Sequence, residues 1–250
     1  QLCMSRSSIL HNCSPQKLQV SLALCAKSEP RMIVSSDKEY VETKSYKRGE
    51  IQLNKPFSDL AHWMEDEFSV KVLNVIYDKV ILNKRPRLQI CVESREDCDS
   101  FRDSDDFNFN TQKQHEIISQ FMRIIKDETY SIETENIFVV FSAFAPIARE
   151  EANGKVSDKE IDKLAVELDN EELWKIRPSF GGVTFFFFTV TQAERAQDSD
   201  LLCKYSNEYY KLIKQYDEFG YLKAEDFIVS FDSKENFDKK FNGSWFAYDR

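Results

Sequence analysis

Apolar residues recur along this chain in two rhythms, and the densest run sets the reading of the rest. Gly181-Gly182-Val183-Thr184-Phe185-Phe186-Phe187-Phe188-Thr189-Val190-Thr191 carries no charge and no proline. Such a run of β-branched and aromatic residues cannot keep one face in water. It predicts a strand over 183–191 that is internal to a sheet and covered on both sides. Behind it Leu202, Tyr205, Tyr209, Ile213 and Tyr216 recur at helical spacing, one buried face of a long helix over 198–216. Gly220 closes that helix as a left-handed cap.

The same reading applies upstream and downstream. Tyr40, Val41, Ile51 and Leu53 are the inward candidates of one or two exposed strands over 38–53. Asn54-Lys55-Pro56 opens a helix whose buried face is Leu60, Trp63, Met64 and Phe68. The β-rich stretch from Val70 to Leu82 is broken at Asn83-Lys84-Arg85-Pro86 and pairs as a hairpin with a strand of Leu88, Ile90 and Val92. Two capping boxes, at Thr111 to Gln114 and Ser157 to Glu160, start helices. Ile137 to Phe144 is a strand ended by Pro146, and Leu173 to Ile176 a short strand. Phe227, Val229 and Phe231 form another strand, Asp232-Ser233-Lys234-Glu235 caps a short helix with Phe237 and Phe241 inward, and Trp245, Phe246 and Tyr248 form a last strand. No internal repeat shows in the sequence.

Alternating strands and helices predict a mixed α/β (α+β) fold, a single mixed β-sheet with helices packed on it. Residues 37–250 form one domain, and 1–36, poor in periodicity, form a poorly defined N-terminal arm. Apolar residues at 42% and charged residues at 31% fit a soluble globular protein. No window approaches the apolar length of a membrane span.

Charge narrows the functions. The net charge is −9 and falls entirely in the C-terminal half. Residues 1–125 carry 18 basic and 18 acidic side chains, so the totals of 34 and 43 leave 16 and 25 for residues 126–250. An acidic surface repels phosphate backbones, so nucleic acid is not an expected ligand, whereas a basic protein partner is. The six cysteines include no C-x-x-C pair, and there are three histidines, so no zinc site is expected. Cys91 and Cys203 fall in patterned segments and read as buried thiols in a reducing, cytoplasmic compartment.

No nucleophile elbow, phosphate loop or dinucleotide fingerprint is present, and no cofactor is expected. Asp37 with Glu42-Thr43-Lys44 matches a metal-dependent nuclease pattern in letters, with Glu93 as another acid. Asp106 to Asn110 begins like a calcium loop but has Thr111 and Ile117 where glycine and glutamate are required, so no metal site is assigned. The polar segment 93–110 is therefore the candidate partner-binding site, through Asp97, Asp99, Asp103, Asp105 and Asp106 with Phe101 and Phe107 as aromatic anchors. The expected function is a non-catalytic acidic binding protein, of the immunity- or antitoxin-like type that neutralises a basic protein. A carboxylate-based hydrolase and a structural subunit are the competing readings. Convergent carboxylates with raised pKa values in a pocket would favour the hydrolase.

Overall fold

A computed structural model describes residues 33–103, 108–127, 130–179, 182–224 and 227–249. Residues 33–250 form one packed unit. Most of the arm expected over 1–36 lies outside the described residues, and from Ile33 onward the chain is packed, with Ile33 against the cluster that contains Tyr40, Leu73 and Phe144.

The fold is mixed α/β, as expected, but its strands divide between two three-stranded sheets. In the first half, α1 (Lys38–Lys47) and α2 (Phe57–Phe68) precede a hairpin of β1 (Val72–Lys79) and β2 (Pro86–Val92). Two helices, α3 (Arg95–Asp99) and α4 (Thr111–Asp127), then cross over to β3 (Phe138–Ala143), which runs parallel to β2 and leads directly into α5 (Phe144–Gly154). The second half repeats this order. Helix α6 (Asp158–Leu168) precedes the hairpin of β4 (Leu173–Ser179) and β5 (Gly182–Phe187). Helices α7 (Val190–Gln197) and α8 (Leu201–Lys214) cross over to β6 (Ile228–Ser233), parallel to β5, and α9 (Lys234–Phe241) and the single turn α10 (Trp245–Tyr248) follow.

The repetition extends to hydrogen bonds. Each hairpin has an irregularity at the same place, between Val72 and Asn74 and between Leu173 and Lys175. Each parallel pair runs in the same register, from Arg87 beside Phe138 to Val92 beside Ala143, and from Gly182 beside Ile228 to Phe187 beside Ser233. One residue past the central strand, Glu93 N donates to Lys71 O at 2.9 Å and Phe188 N to Glu172 O at 3.1 Å. Their carbonyls accept from Ala145 N at 2.9 Å and Glu235 N at 3.2 Å, in the first turn of the helix after the third strand. A capping box one residue later, at Ser94 and at Thr189, starts the next helix. The internal repeat that the sequence conceals is therefore a repeat of backbone pattern.

Each central strand is buried on both faces. On the inner face Leu88, Ile90 and Val92 meet α2 and α4, while Val183, Phe185 and Phe187 meet α6 and α8. On the outer face Cys91 joins Leu73, Phe144 and Tyr40 of α1, whereas Phe186 packs against Trp174, Phe237, Trp245 and Tyr248. Gly182 is required by close approach, because a Cβ there would lie 2.4 Å from Ile228 O of β6.

The two halves share a buried seam. Asn153, at the end of α5, donates to Ser179 O at 2.7 Å and Gly182 O at 2.9 Å, and accepts from Tyr209 OH at 2.8 Å. Every polar atom of that buried amide thus has a partner, which is what makes its burial tolerable.

Several sequence expectations are corrected. Residues 38–47 form a helix, not strands: Tyr40, Thr43 and Lys44 share its buried face, while Val41 and Ile51 are exposed. The central strand ends at Phe187, because Thr189 accepts from Gln192 N and caps α7. Thr111 is not the cap of α4, since Asn110 Oδ1 takes the Lys113 N–H at 2.9 Å. Trp245 to Tyr248 form a helical turn capped by Ser244. Helix α8 ends at Lys214, before Gly220. Cys203 is exposed; among the described cysteines Cys91 and Cys98 are the buried thiols, and burial pushes Cys91 up to about 12.

The placement of β5 makes a sharp prediction. Phe187 is fully buried and Phe188 is 44% exposed. Urea unfolding of Phe187→Ala should show a loss of about 3–5 kcal/mol. Phe188→Ala should lie within about 0.5 kcal/mol of the parent. Equal losses would show that the strand ends elsewhere.

Candidate functional site

Of the seven expected partner-binding residues, the three described aspartates are occupied in holding their own loop. Asp97 completes the capping box of α3, accepting from Ser94 N at 3.2 Å while its own N–H donates to Ser94 Oγ at 2.9 Å. Asp99 lies 3.4 Å from both Arg95 and Arg102. Asp103 accepts from Asn110 Nδ2 at 2.6 Å. Phe101 is fully buried, stacked on Phe141 at 4.1 Å, and is therefore a core residue and not a surface anchor. Asp105, Asp106 and Phe107 lie outside the described residues.

The nuclease-like letters are separated by the fold. Asp37, Glu42, Thr43 and Lys44 lie on or next to one helix, where Thr43 accepts from Asn74 Nδ2 at 3.1 Å and Lys44 donates to Glu151 at 2.8 Å. These contacts belong to an ionic seam along α1. Glu151 also accepts from Tyr40 OH at 2.9 Å, and Lys44 reaches Glu218 at 3.3 Å. Glu93 accepts from Lys47, from Lys71 at 2.9 Å and from Tyr221 OH at 2.8 Å. Burial would raise the Glu93 carboxyl, but these three donors outweigh it and hold it at about 2. Helix α1 thereby ties Glu93 and Glu151 of the first half to Glu218 and Tyr221 of the second.

A crevice of about 500 Å³ opens at the carboxyl ends of β5 and β6, between α7 and α9. In open α/β sheets this is where ligands characteristically enter, because the helices that follow parallel strands diverge there. Phe231, half-buried, forms its floor, with Ala193 and Gln197 of α7 on one wall and Ser233 and Asn236 on the other. Val190 stands at its edge, and both Val190 and neighbouring Phe188 are exposed.

The mouth of the crevice is acidic. Glu194, Asp198, Asp232 and Glu235 face Lys239 and Lys240. Asp232 is already engaged by Asn236 Nδ2 at 2.9 Å, Tyr248 OH at 2.8 Å and Ser233 N at 2.7 Å. Glu235 takes Lys239 Nζ at 2.6 Å and Val190 N at 3.1 Å, and the lysine foremost holds its carboxyl below the ordinary range. Glu194 and Asp198 have no ion pair among the described residues, nor has Lys240, so four carboxylates face two lysines at the opening. The Ser233 hydroxyl accepts from Asn236 N at 3.0 Å as the α9 cap.

The one described carboxyl that burial raises, Glu150, borders a separate cavity of about 180 Å³ with Arg149, Leu222, Lys223 and Phe227. No second carboxylate faces it there among the described residues, and paired-carboxylate hydrolysis requires two. Among the described residues no cluster of His, Cys, Asp or Glu could hold a metal ion, and no helix is long and apolar enough to cross a membrane. His62 and His115 are both exposed.

Sequence reasoning missed the crevice because its defining feature is a short connection, residues 198–200, between two helices. The available signal was the capping box at Thr189 and Gln192, which separates α7 from β5. Comparison of the chain with protein-family models, with curated proteins and with solved structures found no match.

The ionic seam makes stability depend on acid. A carboxyl held at about 2 when folded, against an ordinary 4.5, contributes stability that is fully present above 4.5 and is lost as pH falls through about 2. Glu151 and Glu218 are lowered as well, and each adds in the same direction. Glu93→Gln should flatten this part of the profile in denaturant titrations between about pH 5 and pH 2. A profile identical to that of the parent would remove Glu93 from the seam.

Proposed function

We propose that this chain is a non-catalytic binding protein that receives a basic protein partner at the crevice between α7 and α9. Functionally it belongs with immunity- and antitoxin-type proteins, which neutralise a basic partner by complementary charge. The observation that carries the reading is the pairing of a half-buried aromatic floor, Phe231, with Glu194 and Asp198, which have no ion pair among the described residues, at a predominantly acidic mouth. An apolar base within a predominantly acidic rim supports both anchoring and steering. The excess of acid in residues 126–250 extends the same sign over the surrounding surface. The buried thiols of Cys91 and Cys98 fit a reducing, cytoplasmic setting.

The acidic segment 97–106 enters as a long-range contributor, since Asp99 and Asp103 are exposed although each has an internal partner. Steering acts on association rate and weakens with salt, which separates the two surfaces experimentally.

Proteins captured from the native host by the parent chain should be compared with those captured by Glu194→Gln/Asp198→Asn and by Asp99→Asn/Asp103→Asn. A basic partner should be retained by the parent and lost, or bound about tenfold more slowly at low salt, by the crevice pair. The loop pair should change the rate less, and melting temperatures should stay within about 2 °C. A partner bound equally fast by the parent and the crevice pair would contradict the assignment.

A further inference from the structure

We infer that the crevice takes an aromatic side chain of the bound partner, seated on Phe231 as Phe109 is seated on Phe141 in the first half. The inference rests on the binding reading above for the partner's charge, but its geometry comes from the internal repeat.

Phe141 and Phe231 occupy the same place in their sheets: Phe141 lies beside Ile90 of the first central strand and Phe231 beside Phe185 of the second. Their surroundings differ. Phe141 is 7% exposed, covered by Phe101 at 4.1 Å and by the edge of Phe109 at 5.0 Å. The Arg102 guanidinium lies 4.7 Å from the centre of the Phe109 ring. Arg102 and Phe109 also form a β-bridge that fixes the ring over the sheet.

The second half lacks this cover. Counting from the caps Ser94 and Thr189, Phe101 corresponds to Ala196, Arg102 to Gln197 and Cys98 to Ala193. The connection that carries Phe109, residues 100–110, is cut down to residues 198–200, so Phe109 has no counterpart. Phe231 is left half-buried, touched by Phe185 at 6.0 Å, Phe187 at 5.3 Å and Tyr205 at 5.7 Å. The crevice is lined by Ala193, Gln197 and Phe231, the counterparts of Cys98, Arg102 and Phe141, the last two of which hold Phe109. The first half thus displays the occupant that the second half lacks, an aromatic ring on a short extended segment. Glu194 and Asp198 at the mouth favour basic residues on either side of that ring.

Three capped peptides, Lys-Phe-Lys, Lys-Ala-Lys and Glu-Phe-Glu, distinguish ring from charge when titrated into the full chain and followed by ¹⁵N amide shifts. Lys-Phe-Lys should move the amides of Val190, Ala193, Gln197 and Phe231 and give contacts between its ring protons and those of Phe231. Lys-Ala-Lys should bind there at least several-fold more weakly. If Lys-Ala-Lys binds the crevice as well as Lys-Phe-Lys, the aromatic inference falls while the basic-partner reading stands. If Glu-Phe-Glu matches Lys-Phe-Lys, the inference stands and the basic-partner reading falls. If no peptide shifts these amides, both fall. An independent gain should come from Gln197→Arg, which restores at an exposed position the cation that Arg102 provides. It should tighten binding of neutral N-acetylphenylalaninamide about two- to fivefold. Unchanged affinity there would overturn the equivalence of the two sites.

Discussion

The structure depends on one constraint: in each sheet the central strand is buried on both faces and has only two neighbours. A three-stranded sheet of this kind cannot be left open on either side, because its central residues would meet water. Helices α2 and α4 close the inner face of the first sheet, as α6 and α8 close that of the second. The outer faces are closed by different means. In the first half Tyr40 of α1 stacks on Phe144 at 5.1 Å and brings a charged helix with it. In the second, Trp245 of α10 lies 4.0 Å from Phe237 and 6.1 Å from Trp174. Covering the outer face with α1 places lysines over a packed surface. The carboxylates of Glu93, Glu151 and Glu218 are the compensation that makes this tolerable, each sharing its oxygens among several donors.

The strongest elements were legible because one physical signal dominated them. The unbroken apolar run of β5, the hairpin of β1 and β2, the capping box at Ser157 and the spacing of Tyr205, Tyr209 and Ile213 all behave as their patterns require. Where two signals competed, the weaker was passed over. The capping box at Thr189 sits inside an apolar run, and the run extended the strand beyond its true end. Helix α1 has no apolar stripe, because Tyr40, Thr43 and Lys44 fill its buried face and two of these three are polar. Its packing comes from long-range partners that no local window contains.

The repeat was illegible for a related reason. Register, bulge, cap and crossover are backbone properties, and different side chains satisfy them equally well. Ile90 and Phe185, Cys91 and Phe186, Glu93 and Phe188 stand at corresponding places with little chemistry in common. The divergence has structural consequences. Glu93 draws α1 and Tyr221 onto the first half, whereas Phe188 stays exposed beside the crevice. The long connection in the first half brings Phe109 back over its sheet, and the short one in the second leaves Phe231 only partly covered. The crevice proposed as the binding site therefore lies where two otherwise matching halves differ in cover.

That difference can be measured directly on the protein alone. Hydroxyl-radical footprinting resolved by mass spectrometry reports side-chain access at Phe141 and Phe231 in one experiment. The account predicts that Phe231 is modified more than Phe141, which is protected, and that Phe109, partly buried like Phe231, is also modified more than Phe141. Equal protection of Phe141 and Phe231 would contradict it, because the second half would then carry a cover of its own and the crevice would have nothing to receive.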